Sequence, residues 1–213
     1  MEFVSDRVGN PLDLSPPCDR FVPGYGLLDA SFHVVGDHPG VHGGLDTGVP
    51  FTGMPWSDRF FAAFGRAGLV EAWDPEAETL SVTETFLSYV HPCAVGDEQP
   101  SAASYAANEP FFDAELRAIT ADVLVPVGTR ATTHVLSEYT ARARLADGDV
   151  ADLHAREIRG AGWLVVPCRD PAEWTDGDEA ALVDALTAIR ESDFRQVADL
   201  SRFLVGDEPY LVR

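Results

Sequence analysis

Four short apolar runs constrain this chain more than any other feature. They are "SFHVVG" (31–36), "TETFLSYV" (83–90), "DVLVPVG" (122–128) and "GWLVVPC" (162–168), each closed by Gly, Pro or a polar residue. The segments between and after them read as helices. Pro55 opens one, with Trp56, Phe60, Phe61, Phe64 and Leu69 at helical spacing up to Gly68. A second lies within 101–120 and starts near Glu109-Pro110, and a third covers 129–139. Two more, near Asp178 to Ser192 and Asp193 to Leu204, finish the chain. Apolar strands alternating with helices predict a parallel sheet covered on both faces. No repeat or long linker interrupts the pattern, so residues 1–213 read as a single domain.

In such sheets ligands bind outside the carboxyl ends of the strands. The unusual polar clusters fall at those ends: Asp37-His38 after the first strand, Tyr89-His91-Cys93 after the second, and Arg169-Asp170 after the last. That coincidence is the first sign of a site. Asp37 and His38 stand on a Gly-Asp-His-Pro-Gly turn, where Gly36 and Gly40 permit unusual dihedrals and Pro39 sets one. Read alone, the pair fits two roles: helix capping by Asp with a solvated His, or acid–base chemistry.

Charge narrows the partners. Acidic residues number 35 against 15 basic ones, a net charge of -20, and every basic residue is Arg. An acid-rich chain without lysine fits a molar-salt interior, where acid keeps the surface hydrated. At about 1 M salt the Debye length is only ~3 Å, so global charge does not rule out DNA; contacts would rest on local Arg residues, stacking and shape. No run of about 18 apolar residues marks a membrane span, and the acidic start is unlike a signal peptide, so a cytoplasmic location is expected. Three widely spaced cysteines, Cys18, Cys93 and Cys168, are not a disulfide framework.

The residues "VVGDHPGVHGGLDTGVPFTG" resemble the first motif of the uracil-DNA glycosylase superfamily, closest to its thermostable iron–sulfur branch. There a strand leads into Gly-Glu-x-Pro-Gly and then Gly-x-Pro-Phe-x-Gly. The likeness continues in order through "WSDRFFAAFGRAGL", "FLSYVHPC", "NEPFFDAELRAITADVLVPVGTRAT" and "LVVPCRDPAEW". The resemblance implies a three-layer α/β/α sandwich around a four-stranded parallel sheet. It also implies cleavage of the bond joining a damaged base to deoxyribose in DNA, with the nucleotide flipped into a pocket. On this mapping Phe51 is the ring on which the base stacks. Asp37 takes the place of the branch's Glu, and His38 falls where other branches place a water-activating residue. Gly36, Pro39 and Gly40 shape the turn.

This chain departs from the family pattern in three places. Tyr89 stands where the family has an Asn that reads the base edge, and a phenol lacks the paired donor and acceptor of an amide. Asp170 replaces the second-motif His, so a carboxylate would face the developing base anion unless it were protonated or Arg169 compensated. Of the four cluster-ligand positions only Cys18 and Cys93 are cysteines; the others are Phe21 and Asn108. Two thiolates do not hold a four-iron cluster, so no iron–sulfur cluster and no other cofactor is expected.

Several residues keep two readings. Arg169 is a surface ion pair with Asp170 or a phosphate contact. Trp174 packs on the last helices or wedges into DNA. Cys18 and Cys93 would lie close in the family fold, as a disulfide or, more in keeping with a cytoplasmic setting, a reduced pair. His38, His42, His91 and Cys93 raise a metal option, disfavoured because Pro39 separates the first two and no helix aligns them. The function expected is a DNA-repair glycosylase acting on uracil or another deaminated base. The alternatives are a catalytically silent relative that binds DNA or nucleotides, and, on the His cluster alone, a small-molecule hydrolase.

Overall fold

The structure is a computed structural model that describes residues 8–96 and 99–195. The chain divides into two compact units between Ala121 and Asp122. In chain order the first unit contains β1 (Tyr25–Gly26), β2 (Phe32–Gly36), α1 (Pro39–His42) and α2 (Ser57–Arg66). These are followed by β3 (Val70–Asp74), β4 (Thr79–Val82), β5 (Thr85–Tyr89) and α3 (Ala102–Ile119). β5 lies between β1 and β2, antiparallel to the first and parallel to the second. β2 and β5 are buried along their whole length, as strands covered on two faces must be.

Alternation along β5 assigns its two faces. Ser88 points toward α3, where it meets Glu115 and the imidazole of His33, whose Nε2 is 2.8 Å from its Oγ. Tyr89 points the other way, toward Phe51, which stacks on Phe60 of α2 at 5.0 Å. Helices therefore cover both faces. α2 buries Phe60, Phe61 and Phe64 at the spacing that the sequence predicts.

α3 starts at Ala102, seven residues before the expected start near Glu109. Ser101 caps it, its Oγ accepting from Ser104 N–H at 3.1 Å, and Pro110 lies inside the helix. A side-chain cap and a buried face of Tyr105, Phe112, Leu116 and Ile119 outweigh the hydrogen bond that proline removes. The β3–β4 hairpin was not foreseen. It pairs antiparallel outside the main sheet, and Trp73 packs on Phe61 at 4.6 Å. Its sequence cue is the Asp74-Pro75 break between two short alternating runs.

The second unit contains β6 (Val123–Pro126), α4 (Gly128–His134), β7 (Ile158–Gly160), β8 (Trp163–Val165) and α5 (Asp178–Arg190). β8 runs parallel to β6 and antiparallel to β7. The four runs read from the sequence are thus the parallel strands, and an antiparallel strand, β1 or β7, is added at the edge of each unit. The helix expected over 129–139 is α-helical only to His134 and continues as a π-turn over Val135–Tyr139. The helix expected over 193–204 lies, beyond residue 195, outside the described residues. Among the described residues no helix is long and apolar enough to cross a membrane.

Candidate active site

β2 delivers Gly36 at its end, opposite Tyr89 in the parallel register. A Cβ at Gly36 would lie 2.6 Å from the Tyr89 ring and 2.8 Å from His42 Nδ1, so only glycine lets the ring lie there. The next residue, Asp37, is held from several sides. Its N–H donates to His42 Nδ1 at 2.9 Å, and its carbonyl accepts from His91 N–H at 2.9 Å. The hydroxyl of Tyr105, on α3, donates to Oδ1. Asp37 is 9% exposed, so its carboxylate, oriented by the Tyr105 hydroxyl, is still reachable.

His38 is fixed differently. As N-cap of α1 it accepts from Gly40 N–H at Nδ1, at 3.1 Å. An imidazole that accepts at Nδ1 carries its proton on Nε2, which donates to Gln99 Oε1 at 3.0 Å. Both ring nitrogens are engaged, and a Cβ at Gly40 would lie 2.8 Å from this ring. His91 is buried beside it and lies 2.7 Å from Ser104 Oγ through Nε2. Burial holds the His91 imidazole below the ordinary histidine value, and the neighbouring His38 acts in the same direction.

Phe51 has no exposed surface. Beyond Phe60 it meets Tyr89 at 5.3 Å and His42 at 5.6 Å. Its backbone has φ 67°, rare for a bulky residue, and is pinned at both ends. Phe51 N–H donates to the Tyr89 hydroxyl at 2.7 Å, and Ser57 Oγ donates to Phe51 O at 2.6 Å. Tyr89 is 1% exposed, and burial raises its hydroxyl above the ordinary phenol value although the Phe51 N–H opposes this. Here Phe51 presents no face on which a base could stack without displacing a neighbour.

A family model described as the uracil DNA glycosylase superfamily matches residues 23–186. The chain belongs to that superfamily. It has the family's α/β sandwich fold. Its relatives include the type-5 uracil-DNA glycosylase of Mycobacterium leprae, 32% identical over 167 residues, or 74% of this chain and 70% of that protein. The type-5 uracil-DNA glycosylases of Mycobacterium bovis and Mycobacterium tuberculosis are 28% identical over 166 residues, and the match spans 60% of their length.

Within this superfamily frame, the first unit gathers Gly36, Asp37, His38, Pro39, Gly40, Phe51 and Tyr89 around the end of β2. Tyr105, Gln99 and Ser104 complete the arrangement and were not singled out in the sequence; His42, weighed there only for a metal, holds the Asp37 N–H instead. The cue for Tyr105 was Ser101, whose capping places Tyr105 one turn into α3.

Arg169, Asp170 and Trp174 belong to the second unit. Arg169 pairs with Asp178 at 3.1 Å and reaches Ala151 O at 3.4 Å. Burial pushes the Asp178 carboxyl up, but hydrogen bonds from Thr175 and the Arg169 and His154 charges outweigh it and hold it below the ordinary value. Asp170 Oδ1 caps the turn Pro171–Glu173 by accepting from Ala172 N–H at 2.9 Å. Trp174 is 8% exposed and donates from Nε1 to Arg169 O at 2.9 Å. The indole is packed rather than presented as a wedge.

The residues at the four cluster positions converge but do not fit an iron–sulfur cluster. Cys18 and Cys93 are joined in a disulfide, correcting the weight given to a reduced pair. Phe21 bridges Cys93 across the backbone, and Asn108 Oδ1 lies 3.3 Å from the Cys93 sulfur. Sulfurs bonded to each other are not thiolate ligands. Among the described residues no group of three or more His, Cys, Asp or Glu is arranged to hold a metal ion.

Proposed function

We propose that this chain is a base-excision DNA glycosylase that hydrolyses the N-glycosidic bond of uracil or another deaminated base in DNA. The observation that carries the reading is Asp37: a carboxylate at the strand end, oriented by Tyr105 and beside the turn Gly36–Gly40. In the proposed reaction Asp37 takes a proton from water as the water adds to the sugar carbon. The bond to the base breaks, and the base leaves with the electron pair. The transition state carries positive charge on the sugar, which a nearby carboxylate stabilises. His38 is the weaker candidate for the base, because Gly40 and Gln99 occupy both of its nitrogens. The type-5 uracil-DNA glycosylases among the relatives support the same chemistry.

The test is to incubate the protein in molar potassium chloride with oligonucleotides carrying uracil, hypoxanthine or xanthine, then cleave abasic sites with alkali. Product that is lost in Asp37→Asn, while DNA binding persists, is the expected result. A second reading, a silent relative that binds DNA without cleavage, is favoured by the burial of Phe51 and Tyr89. Tight binding with no product from any of the three oligonucleotides selects it.

A further inference from the structure

The positions at which the resemblance expects cluster ligands are put to another use in this chain. Cys18 and Cys93 share a disulfide, and Asn108, 2% exposed, turns its carboxamide toward the Cys93 sulfur. Asn108 Nδ2 donates to Ser104 O at 2.9 Å, which leaves Oδ1 as the atom 3.3 Å from that sulfur. A disulfide sulfur has no proton to give a buried carbonyl oxygen, whereas a Cys93 thiol has one. An acceptor is therefore already in place for the reduced form. The backbone around the pair also holds without the sulfur bond. Val22 N–H donates to Pro92 O at 2.9 Å, Ala94 N–H donates to Arg20 O at 2.8 Å, and Phe21 bridges Cys93 between them. The loop thus keeps its tie to the segment after β5 when the covalent link opens. Access is one-sided: Cys93 is 5% exposed, whereas Cys18 is half-buried on a bend whose neighbours Pro17 and Asp19 are exposed.

We propose that the Cys18–Cys93 pair is a thiol–disulfide exchange site that takes a dithiol reductant. A thiolate of the dithiol attacks the Cys18 sulfur, the more accessible of the two. The Cys18–Cys93 bond breaks, a mixed disulfide forms at Cys18, and Cys93 leaves as a thiolate with the electron pair. Once protonated, its S–H donates to Asn108 Oδ1. The second thiolate of the reductant then attacks its own sulfur in the mixed disulfide and releases Cys18, which is protonated in turn. One dithiol is oxidised to a disulfide, and its two protons and two electrons end on the cysteines. The exchange opens a covalent tie directly behind the candidate site. His91, two residues before Cys93, supports the Asp37 carbonyl through its N–H, and its Nε2 meets Ser104, one turn before Asn108 on α3. Thiol exchange goes beyond the glycosylase reading and does not rest on it.

The experiment treats the full-length protein, without denaturant, with dithiothreitol, and counts thiols over time by alkylation and peptide mass. Labelling of the buried Cys168 in the native protein runs in parallel as a measure of opening. Reduction is expected to go on rising with dithiothreitol concentration, past the rate at which Cys168 is labelled. A plateau at that rate means that the bond is reached only through unfolding and overturns the proposal. With glutathione, a monothiol, the trapped adduct should sit on the Cys18 peptide; an adduct on the Cys93 peptide overturns the proposal as well. In Asn108→Leu the equilibrium in a dithiothreitol redox buffer should move toward the disulfide by about fivefold, the factor for one lost hydrogen bond of about 1 kcal/mol. An unmoved equilibrium is a third refutation. If this variant does not fold, the rate and the adduct position in the unsubstituted protein decide.

Discussion

Reducing the Cys18–Cys93 disulfide is the perturbation whose size the structure sets most directly. The bond closes a loop of 75 residues. The chain-entropy relation for a loop of that length gives about 4 kcal/mol of stabilisation at 25 °C. For a chain of this size that corresponds to a fall in Tm of roughly 8 to 16 °C. The bond joins the loop before β1 to the segment that follows β5, and in that segment His91 N–H supports the Asp37 carbonyl. Urea titrations with and without a phosphine reductant, and of Cys18→Ser, should agree on the size of the loss. Alkylation of the denatured, unreduced protein should label Cys168 alone, and all three cysteines after reduction. Three free thiols in the purified protein, or a urea midpoint that reduction leaves in place, would refute the reasoning.

Other expectations follow from single contacts. Asp37→Asn should lower single-turnover excision by about 10²–10⁴-fold, the range for a lost general base, with DNA affinity measured in parallel and unchanged. Tyr105→Phe removes a hydrogen bond to a charged, buried acceptor and should cost about 1.5–3 kcal/mol in urea unfolding; no loss would remove Tyr105 from the account of Asp37. Glu115 and His33 flank Ser88 and predict opposite pH trends. Burial pushes Glu115 up to about 8, against the bond from Ser88, and burial lowers His33 to about 3. Between about 3 and the ordinary histidine value the unfolded chain binds the extra proton at His33, so this residue makes stability rise with pH. Between the ordinary carboxylate value and about 8 the folded chain holds the extra proton at Glu115, so this residue makes stability fall. The two oppose each other over the overlap, and above it Glu115 alone acts, with a slope of at most about 1.4 kcal/mol per pH unit. Glu115→Gln should abolish the decline between pH 6.5 and 8, measured by urea midpoints.

Much of the site's location was legible because it follows from local rules. The turn Gly36–Gly40 needs glycine beside a ring and proline at a helix start, and both are visible in the sequence. The apolar spacing of Phe60, Phe61 and Phe64 placed α2 correctly. Pro110 misled the reading of α3, since a local penalty was outweighed by a distant packing surface. His38 was legible as a candidate, but the choice between it and Asp37 turns on which nitrogen faces Gly40, and no spacing rule encodes that.

The amino-acid order by itself determined the four parallel strands, the turns at their ends and the family they announce. Side-chain alternation and backbone dihedrals are properties of neighbouring residues, and they survive without knowledge of the rest of the molecule. Only the folded molecule decided that Tyr89 packs beside Phe51, 38 residues away in the chain, and that Tyr105 reaches Asp37 across 68. It alone joined Cys18 to Cys93 across 75. Those contacts depend on strand register and on where a helix docks, set by the packing of many residues together rather than by any short stretch of chain.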